Sequence, residues 1–428
     1  MIDTAIIADD LTGACDSGVK LTNLGYETQV IINAGDTESL QKNGGHIFSI
    51  NTDTRSVSPD EAYFCVKQVV EDMKKNGINR FYKKIDSVFR GNIGREIDAM
   101  FDAMDYQIAV IAPALPDNGR IIKNGKLYEC SEFSQDEKHS LIIKDVLHSS
   151  SVRQCGSVNL SVIRKGKEAV KSEIKKLYTE GNTLILLDTE ENSDLELISR
   201  AISEIDLRIL PVGSAGLIRY IWPLWDDNDC YDAKMQVNEA EEVRILLVAG
   251  SIHPATIAQI QMLNNRDDIS IYTYPVKDIN SKNASGRVDS LLNSIKSDFN
   301  GKTGSLAIVV TTERILKRDF SDEERMIYKD ISNQMIAEGI AEIANQLVEP
   351  LRINRLIATG GDIASYVFNK VGIRQIRLLA EPIPGIVAGI ATLSSGKKLL
   401  LATKSGGFGD ERALEKLINY MYSAKFTN

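Results

Sequence analysis

Short apolar stretches of strand length alternate along the chain with longer segments of helical periodicity, a pattern typical of parallel sheets covered by helices. Two segments, residues 60–76 and 332–348, put their apolar side chains on one face of a predicted helix. The pattern therefore predicts an α/β protein. Its clearest strands are expected at residues 5–8, 29–32, 47–51, 81–85, 108–112, 184–187, 208–212, 245–249, 269–274, 306–310, 356–359 and 399–403.

An acidic segment without apolar periodicity, residues 226–242 (DDNDCYDAKMQVNEAEE), interrupts this alternation as a linker would. The length of 428 residues also exceeds the usual size of one domain, about 100–200 residues. We therefore predict two domains, residues 1–225 and 243–428. Each is expected to be a mostly parallel sheet with flanking helices.

Composition narrows the class of protein. The net charge is -9, from 50 Lys and Arg against 59 Asp and Glu. This charge argues against general electrostatic binding to the phosphates of nucleic acids. The five cysteines have no C-x-x-C spacing, which favours reduced thiols over a disulfide framework or a zinc site. No stretch approaches the ~18 apolar residues that cross a membrane, and the N-terminus lacks a secretory signal. We expect a cytoplasmic protein with neither nucleic-acid nor membrane partners.

Charged residues follow the predicted strands of the first half, where open α/β sheets bind ligands. Asp9 and Asp10 end the first strand, and adjacent carboxylates there can orient hydroxyl groups, accept a proton or hold a divalent metal. An ordinary turn with an Asp helix cap explains them equally well. The later loops collect cations around a few polar residues, namely Arg55, Lys83, Lys84, Asp86, Ser87, Arg90, Gly91, Asn92 and Arg95. In an acidic protein this cluster predicts a local site for an anion such as a carboxylate.

The remaining loop of the first half, 113–120 (PALPDNGR), is shaped by two prolines and a glycine and could be only a rigid turn. The second half instead has glycine-rich loops after its strands, at 249–256 (AGSIHPAT), 359–364 (TGGDIA) and 403–410 (TKSGGFGD). Glycines let backbone amides approach phosphate oxygens, so three such loops predict a nucleotide site. At each loop taken alone, glycine serving a positive φ is the alternative. Neither a P-loop nor a G-x-G-x-x-G fingerprint is present, which excludes the common nucleotide-binding motifs.

Taken in order, eight segments resemble the four-carbon acid sugar kinase family over essentially the whole chain. They are ADDLTGACDSG (8–18), NTDTR (51–55), KKIDSVFRGNIG (83–94), APALPDNGR (112–120), AGSIHP (249–254), TGGDIA (359–364), EPIPG (381–385) and TKSGGFG (403–409). The resemblance implies an acid-sugar domain followed by a nucleotide domain, with the active site in the cleft between them. It implies transfer of the γ-phosphoryl group of ATP, with Mg²⁺, to the terminal hydroxyl of a four-carbon sugar acid. NTDTR and KKIDS are more similar to the D-threonate and D-erythronate branch than to the 3-oxo-tetronate branch.

The resemblance also implies where the ligands bind. The predicted acid-binding residues are Asp9, Arg55, Lys84, Ile85, Asp86 and Ser87, with Arg90 and Asn92 added from the same cation-rich loop. The predicted nucleotide-binding residues are Ser251, Gly360, Gly361, Asp362, Ile363, Ser405, Gly406 and Gly407, with Lys404 beside them. The predicted catalytic groups are Asp86, Asp9, Asp10 and Lys84, with Asp86 favoured as the base and Asp362 a further carboxylate. The metal ligands are left open.

The chain departs from the family pattern at three places. Val88 and Ile363 stand where relatives usually have threonine, and residues 121–147 have no clear counterpart. The identity and stereochemistry of the acid are therefore left open, as is a homodimer. Two rival functions are an NAD-dependent sugar-acid oxidoreductase, which the missing glycine fingerprint disfavours, and a sugar-acid sensor without turnover, for which no DNA-binding element is visible.

Overall fold

The computed structural model describes residues 4–39, 46–129, 141–225, 242–250, 253–279, 284–299, 302, 304–316, 328 and 331–424. The chain divides into two compact units, Met1–Asp232 and Ala233–Asn428. The predicted linker, apart from Glu242, lies outside the described residues. None of the helices in the described part of the chain has both the length and the apolar character needed to span a membrane.

The N-terminal unit has a main sheet of eight parallel strands in the order β2-β3-β1-β4-β11-β5-β10-β9. A separate antiparallel sheet contains β6, β7 and β8. The strands are β1 (Thr4–Ala8), β2 (Glu27–Ile31), β3 (His46–Asn51), β4 (Arg80–Lys84), β5 (Ile108–Ala112), β6 (Arg120–Lys123), β7 (Lys126–Glu129), β8 (Leu141–Ile142), β9 (Cys155–Val158), β10 (Leu184–Leu187) and β11 (Ile209–Gly213).

Helices cover both faces of the main N-terminal sheet, and each face has its own apolar core. Val66, Met73 and Ile97 belong to one core, whereas Ile174 and Ile198 belong to the other. The α-helices are α1 (Leu11–Thr22), α2 (Pro59–Lys75), α3 (Ile93–Ala103), α4 (Ile143–Ser150), α5 (Leu160–Ile163), α6 (Lys167–Thr179), α7 (Asn192–Ser203) and α8 (Ala215–Ile221). Short 3-10 turns occupy Ala34–Ser39, Pro116–Asn118 and Trp222–Leu224. Burial on both faces explains why the strands are apolar runs rather than alternating ones.

The C-terminal unit has a sheet in the order β13-β14-β12-β15-β18-β17-β16, parallel from β13 to β18 and antiparallel beyond. Its strands are β12 (Arg244–Ala249), β13 (Ile269–Tyr274), β14 (Leu306–Thr312), β15 (Arg355–Thr359), β16 (Gln375–Ile383), β17 (Ile386–Thr392) and β18 (Lys398–Lys404). Its α-helices are α9 (Pro254–Leu263), α10 (Ala284–Phe299), α11 (Glu313–Leu316), α12 (Asn333–Val348), α13 (Gly361–Val371) and α14 (Ala413–Ser423), with a 3-10 turn at Val276–Asp278. The predicted α/β class with mostly parallel sheets is confirmed.

Candidate active site

Three neighbouring strands of the N-terminal sheet bring its charged loops together. Strand β1 pairs with both β3 and β4, so Ala8 lies opposite Asn51 on one side and Lys84 on the other. The three loops that leave these parallel strands therefore emerge at the same edge. They carry Asp9 and Asp10, Arg55, and Asp86, which we call the Arg55 cluster.

Arg55 occupies the centre of this cluster. Its Nε and Nη2 donate to the two carboxylate oxygens of Asp9 at 2.8 and 3.0 Å. Its Nη1 donates to Asp10 at 2.7 Å, and its Nη2 lies 3.9 Å from Asp86 Oδ1. The guanidinium thus holds one carboxylate bidentately and borders two others, so the predicted charged residues do meet.

Burial and neighbouring charges compete to set the pKa values of Asp9 and Arg55. Asp9 is 2% exposed, and burial raises its pKa although the charge of Arg55 opposes the rise. For Arg55, burial lowers the pKa, but the charges of Asp10 and Asp9 and the hydrogen bond to Asp9 outweigh it and the pKa is raised. Arg55 therefore stays charged, and Asp9 holds a proton more readily than an ordinary aspartate does.

Asp86 is held by a second arginine. Arg90 Nε and Nη2 donate to its carboxylate at 2.7 and 3.1 Å, and the Arg90 backbone N–H donates at 3.2 Å. Burial raises the pKa of Asp86, but the Arg90 hydrogen bonds and the charges of Arg55, Arg90 and Lys84 lower it to about 2. Because the Arg90 side chain is 65% exposed, its guanidinium is also accessible to a dissolved anion.

The turn that carries Asp86 and Arg90 is strained. Between them Phe89 adopts a left-handed φ of 65° while its ring stays buried. A bulky residue rarely adopts this conformation, and such strain occurs where the surrounding structure enforces it, often at ligand-binding sites. Gly91 follows at a φ of 96°, and a Cβ there would lie 3.2 Å from Asp9 Oδ2. Glycine therefore allows this turn to approach the Arg55 cluster closely.

The two consecutive lysines point to opposite faces of the sheet. Lys84 Nζ donates to the backbone carbonyl of Ile85 at 2.8 Å and lies 3.1 Å from where a Cβ on Gly13 would be. Lys83 faces the other side and pairs with Glu96 of α3. The side chain of Ile85 is fully buried in the core, so a ligand contact at this residue would involve its backbone.

Two of the predicted residues, Asn92 and Ser87, form hydrogen bonds with neighbouring loops. Asn92 donates from Nδ2 to the carbonyls of Thr54 and Val57, both at 2.9 Å, and so fixes the loop that carries Arg55. Ser87 Oγ accepts a 2.7 Å hydrogen bond from Nη1 of Arg120. Arg120 is an addition to the predicted site, from a loop that the sequence left as a possible rigid turn. Gly119, in the αL conformation with a φ of 67°, ends the turn directly before Arg120, and the prolines and glycine of this loop were the sequence signal for that turn.

Asp10 combines two roles that the sequence offered as alternatives. It is the N-cap of α1, because its Oδ1 accepts from the Gly13 N–H at 2.8 Å and its Oδ2 accepts from Thr12 Oγ1 at 2.7 Å. The same Oδ2 also accepts from Arg55. Helix capping therefore aims this carboxylate at the Arg55 cluster.

The glycine-rich loops of the C-terminal unit leave three adjacent strands, β12, β15 and β18. Ala249 lies opposite Thr359, which lies opposite Lys404. The Gly360 N–H donates to the Lys404 carbonyl at 2.8 Å, and Thr256 Oγ1 donates to the Gly406 carbonyl at 2.9 Å. These contacts bring all three predicted loops to one edge of the sheet. Ser251 lies outside the described residues.

Lys404 is fully buried beneath its own loop. Its Nζ donates to the carbonyls of Ser405 and Gly406 at 3.0 and 3.1 Å and lies 3.5 Å from Thr256 Oγ1. Burial lowers the pKa of Lys404 to about 8. The ammonium therefore orders a loop whose tip, Gly407, is exposed.

Helix α13 begins at the same edge. Gly360 precedes it with a φ of 96°, so both the positive-φ interpretation of this glycine and the placement beside a helix N-terminus hold. A helix N-terminus offers free N–H groups to phosphate. Asp362 is exposed in the first turn, and Ile363 is buried. Within the described residues no group of three or more His, Cys, Asp and Glu could hold a metal, but Mg²⁺ that arrives with a nucleotide needs only one or two carboxylates.

Comparison with known proteins gives the family. Residues 4–221 match a sugar-binding N-terminal domain, and residues 246–414 match a nucleotide-binding C-terminal domain. The chain is 28% identical to a D-threonate kinase of Salmonella typhimurium, with 97% of each chain covered. The chain belongs to the four-carbon acid sugar kinase family. Its relatives in this family are named kinases, which confirms the predicted carbohydrate-acid phosphotransferase.

Other four-carbon acid sugar kinases are about equally similar to the chain. A D-erythronate kinase of Heliobacterium modesticaldum is 25% identical, over 98% of this chain and 97% of the relative. A 3-oxo-tetronate kinase of Pectobacterium atrosepticum is 27% identical, over 96% and 97%. A solved Salmonella typhimurium LT2 structure covers 97% of this chain at 22% identity with a TM-score of 0.76, which supports the fold alone.

Proposed function

We propose that the chain is an ATP-dependent kinase that phosphorylates the terminal hydroxyl of a four-carbon sugar acid such as D-threonate or D-erythronate. The observation that carries this proposal is the Arg55 cluster with its neighbouring cations Lys84 and Arg90, built into the unit that matches a sugar-binding domain. A polyhydroxylated acid needs both kinds of group. Carboxylates accept hydrogen bonds from its hydroxyls, and an arginine binds its carboxylate.

The accessible Arg90 is the guanidinium we assign to the substrate carboxylate, because Arg55 is already held by Asp9 and Asp10. Bidentate binding of the substrate would draw Arg90 away from Asp86. Asp86 is ionised at neutral pH and then accepts the proton of the reacting hydroxyl group. At the same time the hydroxyl oxygen bonds to the γ-phosphorus, and the bond between that phosphorus and ADP breaks. This exchange gives Asp86 its role as base.

The C-terminal loops are assigned to ATP. The amides near Gly360 and Gly361 at the start of α13 suit phosphate oxygens, and Lys404 holds the loop of Ser405–Gly407 beside them. Mg²⁺ would bind with the phosphates, with Asp362 as the exposed carboxylate of this edge, and would neutralise their charge. Transfer then requires the γ-phosphate of the bound ATP to reach the acid held at the Arg55 cluster.

The test is ADP release by the purified protein with Mg²⁺ and ATP against a panel of four-carbon sugar acids. Five-carbon acids and a mixture without acid serve as controls. We expect strong release with D-threonate or D-erythronate. If protein that binds ATP releases no ADP with any four-carbon acid, the proposed substrate class is refuted. NADH formation without ATP would instead identify the oxidoreductase.

A second candidate is phosphorylation of 3-oxo-tetronate at its 4-hydroxyl. It is supported by relatives of that name, whose identity to the chain, 27% and 25%, is as high as that of the D-erythronate kinase. The same panel separates the two candidates. Release with a 3-oxo-tetronate and not with either reduced acid would favour this second function.

A further inference from the structure

Lys83 of β4 and Glu96 of α3 form an ion pair that the assigned chemistry does not use. Lys83 Nζ lies 2.6 Å from Glu96 Oε2, and both side chains are 0% exposed. Desolvation makes such a pair no more stabilising than well-packed apolar residues of the same volume. Stability alone therefore does not explain two enclosed charges at this place.

The contacts of Lys83 reach two of the loops in the Arg55 cluster. Its Nζ donates to the carbonyls of Ile7, at 3.4 Å, and of Lys84, at 3.1 Å. Ile7 stands two residues before Asp9, and Lys84 stands two residues before Asp86. One ammonium thus contacts the ends of both β1 and β4 directly before their catalytic candidates.

Glu96 reaches the third loop. Its Oε1 accepts a 2.6 Å hydrogen bond from Thr54 Oγ1, and Thr54 directly precedes Arg55. The backbone N–H groups of Thr54 and Arg55 donate to the Asp9 carbonyl at 3.0 and 3.3 Å. The ion pair is therefore linked to every loop of the Arg55 cluster.

We propose that Lys83 and Glu96 are positioning residues, whose ion pair sets the relative placement of Asp9, Arg55 and Asp86 for phosphoryl transfer. The kinetic part of this inference rests on the proposed function. Misplacing a reacting group by about 1 Å costs roughly 100-fold in rate. The pair acts from outside the site, because neither side chain is exposed to a ligand.

The decisive variant is Lys83→Met combined with Glu96→Leu. The apolar pair fills a similar volume without charge, so the melting temperature should stay close to that of the wild type. We expect kcat for acid-dependent ADP release to fall roughly 10- to 100-fold, with an unchanged KM for ATP. A double variant with wild-type kcat would overturn the proposal.

A second variant, Thr54→Val, keeps the ion pair and removes its link to the Arg55 loop. It tests the same proposal if the double variant does not fold. It should reproduce the loss of kcat. The matched control is Asp98→Asn on the same helix. The buried Asp98 carboxylate lies 3.2 Å from Arg153 Nε and accepts hydrogen bonds from Ser151 and Val152, outside the three loops. This control should lower the melting temperature and leave kcat unchanged.

Hydrogen exchange gives a measurement that does not depend on turnover. In both the double variant and Thr54→Val, the amides of Thr54 and Arg55 should exchange faster than in the wild type, and those of β5 should not. If the wild type phosphorylates no acid, the proposed function fails while this comparison still reports on positioning. Amide hydrogen exchange at Thr54 and Arg55 as slow in the variants as in the wild type would refute the positioning role.

Discussion

At the scale of single residues, the face of the strand from which a charged side chain projects determines which groups it contacts. Side chains alternate along a strand, so Lys83 and Lys84 point to opposite faces. The sequence could predict that cations gather here, because they follow strands in an acidic chain. It could not predict the pairing of Lys83 with Glu96 or of Arg120 with Ser87. These contacts join residues of different elements, and the local pattern does not show which side chains of two elements will meet.

Asp86→Asn tests the base. The amide keeps the size of the side chain but cannot take up a proton, so kcat should fall roughly 100-fold or more. Affinity for ATP should be unchanged, since Asp86 belongs to the sugar-binding unit. The measurement is kcat for ADP release together with ATP binding by calorimetry in the absence of the acid. The control is Asp60→Asn, an exposed carboxylate of the same unit, and equal turnover by both variants would exclude Asp86 as the base.

Lys404 should make nucleotide affinity depend on pH. Because burial lowers its pKa to about 8 from 10.5, the ammonium is lost as the pH rises through 8 and the KM for ATP should increase. Folding stability responds in the opposite direction: the unfolded chain binds more protons between pH 8 and 10.5, so this group makes the fold more stable as the pH rises there.

The measurement for Lys404 is the KM for ATP on both sides of pH 8, in the wild type and in Lys404→Met. At about pH 7 the variant should have a KM for ATP roughly 10-fold higher than the wild type, because a charged hydrogen bond is lost. The KM of the variant should not increase further at higher pH. A variant that keeps the wild-type pH profile would show that another group titrates.

At the scale of elements, long apolar runs were predictable and short or irregular strands were not. Ile108–Ala112, Leu184–Leu187 and Ile269–Tyr274 have the predicted bounds, and the other predicted strands differ by one or two residues at an end. Strands β6 to β8 were missed because each has only two to four residues, and the four-residue strand β9 was missed as well. The prolines and glycines of segment 381–389 predict a tight backbone turn, either in the lining of the site or as a proline-stiffened connection. In the structure it comprises the end of β16, a turn at residues 384–385 and the start of β17, with an irregular ladder around Pro382.

Close packing of α3 on α4 makes a testable element-scale prediction. A Cβ on Gly94 would lie 2.6 and 2.7 Å from the backbone carbon and oxygen of Ser150. Gly94→Ala gains at most about 1 kcal/mol of helix propensity, but overpacking against backbone costs about 1–3 kcal/mol. We expect a net loss in the free energy of unfolding by denaturant. Gly35→Ala is the control, since nothing lies within 4 Å of its Cβ position, and equal effects would refute the packing argument.

At the scale of the whole molecule, the division of labour between the units is a prediction that ligand footprints can test. ADP should slow hydrogen exchange in the loops after β12, β15 and β18 and leave the Arg55 cluster unchanged. D-threonate alone should do the reverse. The expectation follows from the separation of cation-rich loops in one unit from glycine-rich loops in the other. Protection of the Arg55 loop by ADP alone would contradict the assignment.

The contact between Gly250 and Ile363 constrains how the nucleotide-binding unit can change over time. A methyl group at position 250 would lie 2.7 Å from Cδ1 of Ile363 and 3.1 Å from Cδ1 of Ile340. A larger residue at position 250 therefore requires the Ile363 side chain to turn aside or to become smaller, because its terminal methyl group occupies that space. An exchange of size between these two positions therefore crowds the loop least when the residue at 363 becomes smaller first.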